Sequence, residues 1–120
     1  FNLEDGSGLS RRTLVTAATT TALLRYMHQS GQRDTFWSLL PIAGEDGSLA
    51  SRFRGVRNAA EIRAKTGSVS HVAALAGYAG ADPDHRIAFS IMVNNYTAPS
   101  SEIRSLIDKI ASAILEEGKR

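Results

Sequence analysis

The chain has 120 residues, of which 42% are apolar and 22% charged, so it can bury a core and has the balance of an ordinary globular domain. Its formal net charge of +2 is only mildly basic, and Glu61 interrupts the basic cluster at residues 52–65, which argues against a nucleic-acid partner. With no cysteine, three widely spaced histidines and no apolar run near the roughly 18 residues of a membrane span, no disulfide, metal site or membrane helix is expected.

The first half of the chain predicts two helices joined by loops. After a loop rich in turn dipeptides, a helix is predicted over residues 12–29 with Ser10 as its N-cap. A second, short helix is predicted over residues 35–40, then a loop over residues 41–47 and a helical turn over residues 48–53. Helical spacing predicts that the first helix buries Leu14, Ala17, Ala18, Thr21, Leu24 and Met27.

The second half of the chain predicts three strands in succession. They cover residues 62–69, 72–79 and 86–94, and the turn sequences Ser70-His71 and Asp82-Pro83-Asp84 separate them. Connections this short require antiparallel pairing. Both faces of the second and third strands are apolar or small, so the sheet is expected to lie between helical layers.

The clearest periodic segment is the C-terminal helix. It is predicted to begin at Pro99-Ser100 and to end at Gly118. The fold class is therefore α/β, with a three-stranded antiparallel sheet covered by helices and an amphipathic helix at the end. The residues predicted to pack on the sheet are Ile103, Leu106, Ile107, Ile110, Ala113 and Ile114.

The run Ala64-Lys65-Thr66-Gly67-Ser68 is the strongest candidate for a functional site. On a strand, Lys65 and Gly67 point to one side of the sheet, and Thr66 and Ser68 point to the other. Gly67 has no side chain, so a ligand can approach the backbone there closely. On the tripeptide alone, an exposed lysine at the start of a strand is the better explanation of the run, and it is the rest of the chain that favours a functional site.

Several sequence blocks stand in order and together cover most of the chain. They are Asp5-Gly6-Ser7-Gly8-Leu9-Ser10-Arg11, Leu39-Leu40-Pro41-Ile42-Ala43-Gly44, Asp46-Gly47-Ser48-Leu49, Ala64-Lys65-Thr66-Gly67-Ser68, Ala74-Leu75-Ala76-Gly77-Tyr78 and Phe89-Ser90-Ile91-Met92-Val93-Asn94-Asn95. These blocks resemble the C-terminal part of bacterial D-alanyl-D-alanine carboxypeptidase/endopeptidases. Those enzymes are low-molecular-mass class C penicillin-binding proteins, serine peptidases of the S13 type, whose fold is similar to that of β-lactamases.

The resemblance implies a serine peptidase that cuts the D-Ala-D-Ala bond of peptidoglycan peptides, is acylated by penicillins and needs no cofactor. It implies a catalytic role for Lys65, which would supply positive charge and assist proton transfer. It also implies that Thr66 and Ser68 bind the terminal carboxylate of the substrate, and that the Ser68 N–H is an oxyanion-hole donor. Gly67 would keep the strand clear of the acyl group.

The chain departs from the family pattern in three substitutions and one absence. Ser68 stands where threonine is usual, His71 where glycine is expected, and Thr13 where asparagine is usual. No serine has lysine three residues later, and none has asparagine two residues later, so the Ser-x-x-Lys and Ser-x-Asn motifs are missing. Residues 1–120 are therefore expected to be the C-terminal portion of a penicillin-binding domain, without the nucleophile of the N-terminal portion.

Two other functions remain open at this stage: a non-catalytic interaction domain on the same scaffold, and a serine β-lactamase. The resemblance implies a bacterial periplasmic or extracytoplasmic location, and a peptidoglycan peptide or a β-lactam as ligand. In the resembling fold, another strand pairs with the strand at residues 86–94. We therefore expect a second piece of protein to cover that edge, either the missing N-terminal portion or another copy of the chain.

Overall fold

The computed structural model describes residues 17–69 and 71–119. The predicted N-terminal loop, the predicted N-cap Ser10, the helix residue Leu14 and the turn residue Ser70 lie outside these ranges. The helices and strands are, in chain order, α1 (Ala17–His28), α2 (Arg33–Leu39), β1 (Ile62–Val69), β2 (Val72–Ala79), β3 (Ile87–Asn94) and α3 (Ser100–Glu117).

The three strands form one antiparallel sheet in the order β1-β2-β3, which confirms the predicted fold class. The bounds of β1 and β2 match the prediction, and β3 begins one residue later than predicted, at Ile87. Arg86 lies in the preceding loop, where its guanidinium donates hydrogen bonds to the carbonyl groups of Gly80 and Ala81, each at 3.1 Å.

Helices cover both faces of the sheet, as its two apolar faces require. On one face, Leu75 and Phe89 are buried in the main core with Ile103 and Ile107 of α3. On the other face, the Tyr78 hydroxyl donates a 2.6 Å hydrogen bond to the carbonyl of Leu24 in α1. The sheet thus lies between α3 on one side and α1 with α2 on the other.

The predicted buried face of α3 was partly wrong. Leu106 and Ile110 are 48% and 39% exposed, and Ala113 is exposed too. The helix lies on the sheet along one row of residues spaced by four, and Leu106 and Ile110 fall on its flank. The buried row is Ile103, Ile107, Ala111 and Leu115.

Smaller corrections concern the first half of the chain. In α1, Leu24 is buried as predicted, whereas Ala18 is exposed because it lies on the face turned away from the sheet. Helix α2 ends at Leu39, because the backbone of Leu40 is extended (ψ 138°), as expected for a residue before proline. The predicted helical turn over residues 48–53 is a shorter 3₁₀ turn at Gly47–Leu49.

Candidate functional site

The Lys-Thr-Gly run lies on β1, at an edge of the described sheet. β1 pairs with β2 on one side, and on its other side no described residue pairs with it beyond Ala64, whose N–H donates outward to the carbonyl of Pro41 at 3.1 Å. Backbone groups of a strand alternate in direction, so the N–H groups of Thr66 and Ser68 also point to this open edge. A ligand lying along β1 would meet these two donors.

The side chains of alternate residues on β1 continue from the core into a cavity. Ile62 and Ala64 are fully buried on the face that carries α3. Thr66 and Ser68 share that parity, but they lie beyond the buried part of the sheet and line a cavity of about 310 Å³ at the N-terminal end of α3. The cavity is lined by Ser48, Ser51, Arg52, Thr66, Gly67, Ser68, Ala73, Ala74, Tyr96, Ser100, Arg104 and Ile107.

The cavity is rich in hydrogen-bond donors, and none of the described residues that line it carries a carboxylate. The Thr66 hydroxyl donates a 3.0 Å hydrogen bond to the hydroxyl of Ser48. The 3₁₀ turn at Gly47–Leu49 presents Ser48, and the completely buried side chain of Leu49 anchors that turn in the core. Serine and threonine hydroxyls beside an arginine suit an anionic or strongly polar ligand.

A nearly buried ion pair fixes the wall of the cavity that α3 contributes. Arg52 donates from Nε to Oδ2 of Asp108 at 3.2 Å, and its Nη2 contacts the second carboxylate oxygen of Asp108. The two side chains are only 11% and 15% exposed. Arg52 Nη2 also donates to the backbone carbonyl of Arg104 at 3.4 Å, so the pair joins the segment after the 3₁₀ turn to α3.

Lys65 does not line this cavity. Its side chain is exposed, and its ammonium group donates a 2.7 Å hydrogen bond to the carbonyl of Thr66. The structure therefore brings Thr66, Gly67 and Ser68 together at one cavity and holds the charge of Lys65 apart from it, beside the strand. This is the separation that alternating side chains on a strand require.

The hairpin between β1 and β2 turns through His71, where glycine was expected. The backbone of His71 is left-handed (φ +60°), a conformation that glycine adopts without strain. Its ring Nδ1 donates a 2.9 Å hydrogen bond to the carbonyl of Tyr96, and the two rings meet edge to face at 6.2 Å. His71 thus connects the hairpin to Tyr96, which lines the cavity.

Arginines gather around Trp37 on the opposite face of the sheet. The guanidinium of Arg86 stacks 3.5 Å from the centre of the indole ring, and that of Arg63 lies 4.8 Å from it. Burial, followed by repulsion from Arg33 and Arg63, lowers the pKa of Arg86. Burial raises the pKa of Tyr78, although the charge of Arg86 opposes that shift. This cluster packs α2 on the sheet.

Sequence reasoning identified only Thr66, Gly67 and Ser68 among the residues that line the cavity, and it missed the others, including Ser48, Tyr96 and Arg104. Ser48 belongs to one of the blocks that carried the family resemblance, so that block was its available signal. Tyr96 and Arg104 lie far from the motif in sequence and reach it only through packing, which no local pattern reveals.

Residues 17–69 and 71–119 contain neither a membrane-spanning helix nor a cluster of metal-ligating side chains. No helix there is long and apolar enough to cross a membrane. No group of three or more histidine, aspartate or glutamate residues stands close enough together to hold a metal ion.

Comparison with known proteins matches the chain to one family and to longer relatives. The family model described as D-Ala-D-Ala carboxypeptidase 3 (S13) matches residues 1–114. A D-alanyl-D-alanine carboxypeptidase of Actinomadura sp. (strain R39) is 43% identical over 103 residues, which cover 82% of this chain and 19% of that protein. The penicillin-sensitive carboxypeptidase A of Dictyostelium discoideum is 33% identical over 113 residues, covering 88% of this chain and 22% of that protein.

A solved structure is similar over almost the same range. The crystal structure of penicillin binding protein 4 (dacB) from Haemophilus influenzae superposes with a TM-score of 0.76 at 30% identity. The match covers 94% of this chain and 26% of that one. The same protein has also been solved in complex with a β-lactam. The chain therefore spans about a fifth to a quarter of the length of these relatives.

Proposed function

Because this chain belongs to the D-Ala-D-Ala carboxypeptidase 3 (S13) family, we propose that it forms the Lys-Thr-Gly wall of the active site of a serine DD-peptidase. The observation that carries the proposal is the open edge of β1. There, the outward N–H groups of Thr66 and Ser68 lie beside a hydroxyl-lined cavity to which the described part of the chain contributes no carboxylate. Such an edge can bind an extended peptide through its backbone and accept the negative end of that peptide in the cavity.

Each residue of the run has a distinct role in this proposal. The hydroxyl groups of Thr66 and Ser68 bind the terminal carboxylate of a peptidoglycan peptide, and the Ser68 N–H stabilises the oxyanion that forms at the scissile carbonyl. The ammonium group of Lys65, held at the carbonyl of Thr66, supplies positive charge beside the reacting groups and assists proton transfer. Gly67 leaves room for the acyl group.

The nucleophile is a serine in another part of a longer protein, since no Ser-x-x-Lys occurs in this chain. Its hydroxyl oxygen attacks the carbonyl of the penultimate D-alanine, and the peptide C–N bond breaks. The terminal D-alanine leaves as an amine after gaining a proton, and water then hydrolyses the acyl-enzyme ester. A penicillin would acylate the same serine through its β-lactam carbonyl, in an extracytoplasmic compartment where peptidoglycan is accessible.

The direct test is the rate at which a fluorescent penicillin acylates the full-length native protein. Lys65→Ala should lower that rate by a factor of roughly 10² to 10³, because a charge-assisted contact in the site is lost. Lys109→Ala is the matched control, since Lys109 is an exposed cation on α3 that does not line the cavity. A change smaller than about threefold for Lys65→Ala would refute its role. If the wild-type protein were not labelled, a non-catalytic interaction domain would replace the peptidase, and rapid turnover of the penicillin would indicate a β-lactamase.

A further inference from the structure

The cavity beside β1 carries one positive charge that no residue in the described part of the chain neutralises. Two arginines line it, Arg52 and Arg104. Asp108 neutralises Arg52 in the nearly buried ion pair, whereas Arg104 has no acidic partner among the described residues. None of the described residues that line the cavity carries a carboxylate, so Arg104 supplies the remaining charge of this lining. The other donors there are neutral hydroxyl groups.

The position of Arg104 in the cavity is built into α3. Ser100, Arg104 and Ile107 follow the spacing i, i+4 and i+7, so they share one face of the helix, and all three line the cavity. The backbone of Arg104 is also held in place, because its carbonyl accepts a hydrogen bond from Arg52. Arg104 is thus an arginine on a fixed backbone whose guanidinium has no acidic partner among the described residues. A guanidinium is the donor group best matched in shape to a carboxylate.

Lys65 cannot provide the charge that a carboxylate in this cavity needs. Its ammonium group lies at the carbonyl of Thr66, and its side chain does not line the cavity. We propose that Arg104 is the specificity-determining residue for ligands that end in a free carboxylate, acting in the same cavity as Thr66 and Ser68. The choice of an acyl-D-alanine as the ligand rests on the proposed peptidase function.

The test compares two small ligands that differ only at the terminal group, N-acetyl-D-alanine and N-acetyl-D-alaninamide. Their dissociation constants for the full-length native protein are measured by ligand-observed NMR, which requires no catalytic turnover. A carboxylate that gains a charge-assisted bidentate contact should bind about tenfold or more tightly than the amide. Arg104→Ala should reduce this preference to below about threefold by weakening the acid and not the amide.

Control variants separate this role from a structural one. Arg104→Lys should keep part of the preference, because it retains the charge without the bidentate geometry. Lys109→Ala should keep all of it, because Lys109 is an exposed cation on α3 outside the cavity. Arg104→Gln preserves the length of the side chain and replaces Arg104→Ala if circular dichroism shows that the alanine variant is unfolded.

The proposal is overturned if the Arg104→Ala or Arg104→Gln protein prefers the acid as strongly as the wild type, or if acid and amide lose affinity equally. Hydrolysis of a D-Ala-D-Ala peptide by the wild-type protein is measured separately. If the wild-type protein hydrolyses the peptide but its preference for the acid over the amide does not depend on Arg104, the role of Arg104 is refuted and the peptidase function is supported. An Arg104-dependent preference without hydrolysis would support Arg104 and refute the peptidase function.

Discussion

Replacing Gly77 with alanine should disrupt the sheet next to the Lys-Thr-Gly run, because Gly77 on β2 pairs with Ala64 on β1. A Cβ atom at Gly77 would lie 2.1 Å from the carbonyl oxygen of Arg63 and 2.5 Å from the Cα of Ala64, whereas real Cβ contacts are essentially never under 3.0 Å. Both atoms belong to the backbone of β1, so no side chain can turn away to relieve the clash. β1 would have to move by about 1 Å relative to β2.

The loss in the free energy of unfolding can be estimated from the cost of overpacking, here between two paired strands. Extra methyl groups in packed cores typically cost about 1–3 kcal/mol, and here a strand, not a side chain, must shift. We therefore expect Gly77→Ala to lower the free energy of unfolding by about 3 kcal/mol. Because β1 carries the candidate site, labelling by penicillin should fall together with stability.

Gly67→Ala should behave in the opposite way. A Cβ at Gly67 would meet only the Cβ of Ala74 at 3.7 Å, which is an ordinary contact, so stability should change by less than about 1 kcal/mol. The added methyl group would still occupy the space through which a ligand approaches β1, and a displacement of about 1 Å can cost a hundredfold in rate. Penicillin labelling should therefore drop by about tenfold to a hundredfold in a stable protein.

The assay combines the midpoint of urea unfolding with the penicillin labelling rate, both for the full-length native protein. Gly31→Ala is the control, because a Cβ at that position would meet nothing within 4 Å and should change neither property. The reasoning would be refuted by a Gly77→Ala protein as stable as the wild type, or by a Gly67→Ala protein labelled at the wild-type rate.

Three further predictions concern the ion pair of Arg52, the turn before β3 and the outer edge of β3. Asp108→Asn leaves the nearly buried charge of Arg52 unpaired and should cost about 3 kcal/mol in urea unfolding; a loss below about 1 kcal/mol would contradict this. The side-chain hydrogen bond between Asp82 and His85 raises the pKa of His85 above 6.5 and lowers the pKa of Asp82 below 3.8. Because the pKa of His85 is raised on folding, this residue contributes stability that is fully present below pH 6.5 and is lost as the pH rises through the pKa of the folded protein. Because the pKa of Asp82 is lowered on folding, this residue contributes stability that is fully present above pH 3.8 and is lost as the pH falls through the pKa of the folded protein. Asp82 and His85 therefore both stabilise the fold between pH 3.8 and pH 6.5. NMR titration should show the pKa of His85 falling towards 6.5 in Asp82→Asn, and an unchanged value would refute the pairing. Finally, the outward N–H groups of β3 should be protected from hydrogen exchange in the full-length native protein, since we expect the N-terminal portion or a second copy to cover that edge; exchange at the rate of free amides would show the edge bare.

The strands could be predicted closely because local chemistry determines their ends. Asp82-Pro83-Asp84 interrupts the chain between β2 and β3: Pro83 begins a 3₁₀ turn and the Asp82 side chain accepts a hydrogen bond from the Asp84 N–H. The two apolar faces of β2 correctly required cover on both sides. The start of α3 at Ser100, directly after Pro99, and its end before Gly118 were likewise visible in the sequence.

What the sequence could not provide was the rotation of α3 and the far wall of the cavity. The pattern of Ile103, Leu106, Ile107 and Ile110 is compatible with more than one buried row, and only packing on the sheet selects the row through Ile107 and leaves Leu106 on the flank. That same packing brings Arg104 to the cavity, 38 residues after Thr66 in the chain. No periodicity or motif in the sequence predicts that Arg104 and Thr66 line the same cavity.

The central claim is that this chain forms one wall of a peptidase site whose nucleophile lies elsewhere in a longer protein. Peptide mapping by mass spectrometry after labelling the full-length native protein with a penicillin tests it most directly. We expect one covalent adduct, on a serine followed by x-x-Lys outside these 120 residues, and none on any serine within them. A stable adduct on a serine of this chain, or no adduct anywhere, would contradict the account.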